Sequence, residues 1–140
     1  MTHSPEQLGD LVVGIYKELK AKTEKSLKAY GIGMGQLQIL MLFYAHQSSS
    51  YSQNELVKLL NIDKGNISRN VKKLMDKAYL EQVPEHSKMY QLSAQGKMIK
   101  REIMTTFMSL HQTMTEGVSK EALTQTVMIL SKISVNLEAL

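Results

Sequence analysis

Apolar residues at Leu8, Leu11, Val12, Ile15 and Leu19 recur one turn apart and predict an amphipathic helix. Ser4 ahead of Pro5 supplies its start, a cap followed by a proline in the first turn. The polar run Lys20–Lys25 carries it toward Tyr30-Gly31, where glycine is a natural stop. Gly31–Gly35 reads as a glycine-rich connector. From Gln36 to Tyr44 apolar residues come too densely for one face, which predicts a helix buried on most sides. After a polar loop at His46–Ser50, Ser52 caps a short helix holding Leu56, Val57, Leu59 and Leu60. Asn61 tolerates the left-handed conformation that ends it, and Asp63 caps the next helix. Two short helices so close together are the signature of a helix-turn-helix. Beyond Lys77 the period changes. Tyr79–Val83 and Lys88–Leu92 read as a two-stranded hairpin around a turn at Pro84–Ser87. Ser93 then opens a helix through Ile99, Ile103, Phe107, Leu110 and Met114, which Gly117 breaks. A last helix, Ser119–Leu140, carries Leu123, Val127, Leu130, Ile133 and Leu137. The fold class is mainly α with a small β-hairpin.

Within this pattern residues 61–74, NIDKGNISRNVKKL, carry two signals. On a helical wheel of about 100° per residue, Val71, Leu74 and Ala78 fall within about 40° of Ile67. Gly65, Arg69, Lys72 and Lys73 fall on the opposite half. One face seeks a core and the other presents cations. Five cations against two anions between Asp63 and Lys77 give +3 of the chain's net +4, so most of the excess charge sits on one helix. Its first turns hold Lys64, Gly65, Asn66, Ser68 and Arg69. Small residues let a backbone approach a groove, and Asn and Arg can pair with base edges. Lys72 and Lys73 suit phosphates. The plain alternative for such a face is simple solvation; its place as second helix of a helix-turn-helix, followed by a hairpin, favours nucleic acid.

Composition narrows the classes further. The 140 residues fit one domain, and 43% apolar residues suffice for a core. With no cysteine there is no disulfide, thiolate ligand or thiol switch. His3, His46, His86 and His111 lie far apart and in no metal-ligand spacing, so no metal site and no cofactor are expected. No nucleophile elbow, phosphate-binding glycine loop or paired-acid arrangement is present, which argues against an enzyme. The opening MTHSPEQLGD lacks the basic-then-apolar order of a signal peptide, and no apolar run approaches a membrane span. The expected setting is cytoplasmic.

Residues 52–83, SQNELVKLLNIDKGNISRNVKKLMDKAYLEQV, resemble the MarR family of winged-helix transcriptional regulators. A short helix, an apolar-Asp-Lys turn, a Ser-Arg-bearing helix and a return into a wing follow one another in the family's order. Gly31-Ile32 with Gln36 and Ile39-Leu40 resembles the family's G-[LI]-T-x-x-Q-x-x-[VIL]-L segment. Leu92-Ser93 with Gly96 resembles its L-[TS]-x-x-G entry to the long helix after the wing. The resemblance implies a single domain over 1–140. Residues 31–93 would form a winged helix-turn-helix DNA-binding lobe. Residues 1–30 and 117–140, with part of 94–116, would form dimerisation helices. Terminal stripes without a partner in a compact winged core agree with this, the alternative being an intramolecular bundle.

The function so implied is that of a homodimeric, sequence-specific regulator of transcription, a repressor on a palindromic duplex site. Groove contacts are expected from Lys64, Gly65, Asn66, Ser68 and Arg69. Backbone contacts are expected from Lys72, Lys73, Ser52, Gln53 and Asn54, and from the wing residues His86, Ser87 and Lys88. The family's wing commonly carries an Asp-x-Arg; here the hairpin is short and its tip has no Arg. Gly33 stands where the family often has Thr, which weakens the helix cap. Many members release DNA when a small aromatic or anionic effector enters a cleft beside the DNA-binding lobe. Tyr16, Tyr30, Tyr44 and His46 are candidates to line one, their plainer reading being interface or surface aromatics. A different class is a winged-helix module that binds protein; it would not need Arg69, Lys72 and Lys73 together.

Overall fold

A computed structural model describes residues 3–140, so the first two residues of the predicted 1–30 segment lie outside it. The chain divides into two compact units, one ending at Phe107 and one running Met108–Leu140.

Ser4 caps the first unit's entry. Its N–H donates to Gln7 Oε1 at 2.8 Å and its hydroxyl accepts from the Glu6 N–H. With Pro5 this sets a 3-10 turn, Pro5–Gln7, which feeds α1 (Leu8–Ser26). The helix stops short of the expected Tyr30-Gly31. Leu27 and Ile32 are both almost wholly buried. A continuing helix would splay two residues five apart by about 140°, so it cannot send both inward. A 3-10 turn, Lys28–Tyr30, replaces it. Gly31 closes that turn at φ 67°, where Ile32 N–H reaches back to the Leu27 carbonyl at 3.3 Å.

Helix α2 (Met34–Ala45) starts two residues before the expected Gln36. Gln36 is its third residue, and its Oε1 accepts the Gly33 N–H at 2.6 Å. Glycine has no side chain to return the bond, so only half of a capping box forms, as expected for Gly33. The dense apolar run is buried as predicted: Leu37, Ile39, Leu40, Phe43 and Tyr44 all lie in the core.

A strand that the periodicity did not reveal follows. β1 (Tyr51–Ser52) is two residues long, too short to display alternation. It leads into α3 (Gln53–Leu60) and α4 (Lys64–Asp76). The hairpin is β2 (Leu80–Val83) and β3 (His86–Leu92), antiparallel, with the sheet ordered β1-β3-β2. Tyr51 pairs with Tyr90, and Leu80 with Leu92. The wing turn is Pro84-Glu85 rather than four residues, because His86 pairs directly with Val83 across an irregularity after Gln82. The helix expected from Ser93 is broken once, at Ile99, into α5 (Ala94–Met98) and α6 (Lys100–Met114).

Ile67, Val71 and Leu74 of α4 are buried against a core that includes Leu40, Phe43, Leu56, Leu80 and Ile103. Each such side chain stabilises the fold by about 1.5–3 kcal/mol. Ala78 does not join them on the helix face as the wheel suggested. It lies past the end of α4, exposed, at φ 63°. Tyr79 N–H bonds the Leu74 carbonyl and Ala78 N–H bonds the Met75 carbonyl, each at 2.9 Å, the paired bonds of a left-handed helix end. Ser93 Oγ donates to the Ala78 carbonyl, and Tyr79 Oη donates to the Tyr30 carbonyl at 3.0 Å. Gly96 packs under this corner; a β-carbon there would fall on the Tyr79 carbonyl oxygen.

The second unit contains the end of α6 and α7 (Lys120–Glu138). Ser119 Oγ caps α7 by accepting the Ala122 N–H at 3.1 Å. Val127, Met128, Ile129 and Leu130 are exposed on it.

Left-handed backbone costs an L-residue about 1–2 kcal/mol relative to glycine. Ala78→Gly is expected to raise unfolding free energy by about 1 kcal/mol in urea titrations. Gly96→Ala is expected to lower it by about 1–3 kcal/mol through overpacking.

Candidate nucleic-acid interface

Ser52 ends β1 and caps α3. Its hydroxyl accepts the Glu55 N–H, and Glu55 Oε1 accepts the Ser52 N–H, both at 3.1 Å. Gln53 Nε2 donates to Tyr90 Oη at 3.4 Å, tying α3 to the wing strand, while Asn54 is exposed. Asn61 at φ 53° turns the chain from α3 into α4.

Helix α4 carries the expected division of faces. Lys64, Gly65, Asn66, Ser68, Arg69, Lys72 and Lys73 are all exposed, and its apolar residues are inside. Asp63 Oδ1 accepts the Asn66 N–H at 2.9 Å, and Asp63 Oδ2 accepts Asn66 Nδ2 at 2.7 Å. Asn66 Oδ1 in turn accepts Arg69 Nη2 at 2.7 Å. These bonds to the Asn66 backbone and side chain, with the Arg69 charge beyond, hold the Asp63 carboxyl below its ordinary pKa. Gly65 has a local role that sequence alone did not suggest. A β-carbon there would stand 3.2 Å from Arg69 Nη1 and 3.3 Å from Asp63 Oδ1, so glycine leaves room for the arginine to fold back along the helix.

At the wing, His86, Ser87 and Lys88 are exposed at the start of β3. Gln82 Nε2 donates to the Ser87 carbonyl at 2.9 Å and braces the tip.

A cleft of about 570 Å³ opens between α1, the start of α2 and α4. Tyr16, Lys20 and Glu24 form one wall, Gly33–Gln36 another, and Asn66, Asn70 and Lys73 a third. Of the four residues proposed for an effector cleft, only Tyr16 lines this one. Tyr44 is buried, and its hydroxyl donates to the Gly96 carbonyl at 2.8 Å. Burial, then the nearby Tyr79 and Glu102, push its pKa well above the ordinary phenol value. Tyr30 is half-buried where its carbonyl receives Tyr79, and His46 is exposed at the end of α2. The sequence marks Gln36 as a motif residue but does not reveal its contact with Asn70. Gln36 Nε2 donates to Asn70 Oδ1, joining α2 to α4, and a β-carbon at Gly35 would strike the Asn70 amide. The two partners are far apart in sequence, and only the fold brings them together.

Two linked helices with an exposed cationic second member, followed by a hairpin that pairs with the short strand ahead of them, define a winged helix-turn-helix protein. Residues 30–88, most of this lobe, match the MarR family model. Solved structures share the fold over nearly the whole chain. The S. aureus MepR–DNA complex is 24% identical with a TM-score of 0.83, covering 96% of this chain and 99% of that one. A MarR transcriptional regulator from Methanosarcina mazei Go1 is 22% identical with a TM-score of 0.77, covering 96% and 99%. Bordetella bronchiseptica BpsR, solved in a study of how 6-hydroxynicotinic acid regulates its DNA binding, is 19% identical with a TM-score of 0.78, covering 96% and 97%. No curated protein matches the sequence. Among the described residues no helix is long and apolar enough to cross a membrane.

The Asp63 cap gives a pH signature. A carboxyl whose folded pKa is depressed stabilises the fold above its unfolded value, about 4, and loses that contribution as pH falls through the folded value. Urea midpoints of the wild type and Asp63→Ala are therefore expected to differ at neutral pH and to converge in acid. A gap that is constant or widens on acidification contradicts the assignment.

Proposed function

We propose that this chain is a sequence-specific DNA-binding regulator of transcription, a repressor that acts as a homodimer on a palindromic site. The observation that carries the reading is the outward face of α4, where Lys64, Gly65, Asn66, Ser68 and Arg69 stand together at the front of the second helix of a helix-turn-helix. These residues enter the major groove. Lys72 and Lys73, with Ser52, Gln53 and Asn54 at the head of α3 and His86, Ser87 and Lys88 on the wing, contact the backbone of the duplex. Ser52 is already engaged as a cap, so its contact runs through the helix end rather than a free hydroxyl. The fold likeness to a regulator solved on DNA supports the same mode.

A second copy covers the apolar faces left open on α1 and α7. Leu11, Ile15 and Tyr16 on α1 and Val127 and Ile129 on α7 are each more than half exposed, more apolar surface than a lone soluble chain ordinarily shows. Pairing two copies sets two α4 helices on successive turns of one face of a duplex, which is why the site is palindromic. A small aromatic or anionic effector enters the cleft beside Tyr16, whose lining sets Lys20 and Lys73 against Glu24 and Asp63, and releases the DNA. No step of catalysis belongs to this reading; the family whose model matches is one of regulators.

The test uses the DNA flanking the reading frame as a labelled duplex, titrated at several salt concentrations. Affinity is expected to fall steeply with salt, each neutralised phosphate adding about 0.9 to the log–log slope. Lys73→Ala is expected to weaken all duplexes evenly and lower the slope by about one. Arg69→Ala is expected to cost about 1–3 kcal/mol on the matched site and to erase preference for it. Identical losses for the two variants on matched and scrambled sites contradict this division of roles. A protein-binding winged module predicts no salt-dependent duplex binding at all. In sedimentation equilibrium the chain is expected to be a dimer, and a charge placed at Val127 or Leu11 to yield monomers with lost DNA binding.

A further inference from the structure

We propose that Asp63 and Asn66 are positioning residues that aim the Arg69 guanidinium at a guanine edge, so that base preference at this point of the duplex is set through Arg69. The inference rests on the reading of α4 as the groove helix.

Asp63, Asn66 and Arg69 are spaced three apart, so they stand one above the next on a single side of α4. Their hydrogen bonds run in one direction along that side. The carboxylate of Asp63 is acceptor only, and it takes both the backbone N–H and the side-chain Nδ2 of Asn66. The guanidinium of Arg69 is donor only, and it gives one N–H to Asn66 Oδ1. An amide set between an obligate acceptor and an obligate donor has one orientation that satisfies both, so the ends of Asn66 are fixed by chemistry. Arg69 has five N–H groups, and this contact uses Nη2 alone. The rest of the planar guanidinium keeps the donors that a bidentate pair with guanine O6 and N7 requires. Asn66, by contrast, could pair with adenine only through the same Oδ1 and Nδ2, so reading adenine competes with both of its internal bonds. Gly65 completes the arrangement by leaving the space in which the Arg69 side chain lies. Restricting a long flexible side chain before binding reduces the ordering cost at the moment of recognition.

Two substitutions separate positioning from folding. Asp63→Asn keeps a good helix cap, because asparagine can still accept the Asn66 N–H. It puts an amide nitrogen where Oδ2 accepted the Asn66 side chain, so donor meets donor. Gly65→Ala improves helix propensity but crowds Arg69 Nη1 at 3.2 Å. Both variants are expected to hold urea midpoints near or above wild type.

Binding sites are then selected from a random duplex pool with the full-length wild type, Asp63→Asn, Gly65→Ala and Asn66→Ala. The wild type is expected to select a guanine at one fixed place in each half-site. All three variants are expected to lose preference for that guanine by about tenfold, and Asp63→Asn, which lies outside the groove-facing set, to leave the other positions of the motif unchanged. The proposal is overturned if folded Asp63→Asn and Gly65→Ala select the guanine as strongly as wild type. It is equally overturned if Asn66→Ala abolishes a selected adenine and leaves the guanine intact. A wild type that selects no motif overturns the groove reading of α4 itself, and the positioning role with it.

Discussion

The insertion of Ile67, Val71 and Leu74 between α2 and α3 governs how α4 is rolled about its axis. These three side chains are almost completely buried, and a helix has no freedom to rotate once such a stripe is seated. Lys64, Arg69, Lys72 and Lys73 face outward because of what is locked inward. Core packing and surface chemistry on α4 are two sides of one constraint. Rolling the helix would bury ammonium groups, at a cost far above any gain from altered contacts.

Polar contacts refine what packing fixes. Gln36 joins the start of α2 to α4 through Asn70, and Gly35 leaves the space for it. Lys77, at the far end of α4, donates to the Gly31 carbonyl that closes the turn before α2. Helix α4 is thus held to the segment around α2 near its middle and at its C-terminal end by side chains, while its N-terminal turn is organised by its own Asp63 and Asn66. Among the described residues no buried side-chain nitrogen or oxygen lacks a partner. That economy matters for a helix whose other half must stay available.

Much of this was legible in the sequence, for reasons that differ by element. The stripes of α1, α4 and α7 and the dense run of α2 declare themselves because helical period needs only local spacing. The caps Ser4, Ser52 and Asp63 are all real, and Ser93 and Ser119, read only as helix starts, cap as well, since capping depends on the residue and the few that follow it. Strand β1 escaped because two residues cannot show alternation and its identity comes from pairing with Tyr90 and Met89, far along the chain. The early end of α1 escaped because the burial of Leu27 overrides local propensity. At the candidate interface the residue types and their outward placement were readable. The ordering of Arg69 by Asn66 and the space supplied by Gly65 were not, because they depend on which rotamer each side chain adopts. Tyr44, for which the sequence left a cleft lining and an interface or surface aromatic open, is buried, with its hydroxyl on the Gly96 carbonyl.

The corner at Ala78 leaves the chain locally frustrated. Alanine is the strongest helix former, yet here it occupies a left-handed backbone state that halts a helix. Glycine would be indifferent; alanine is biased toward overrun. Were the Ser93 and Tyr79 anchors loosened, α4 would tend to elongate through Ala78 and consume the base of β2. The bonds to Ser93 and Tyr30, with the backbone bonds that close the helix, hold the corner from which β2 starts at Leu80.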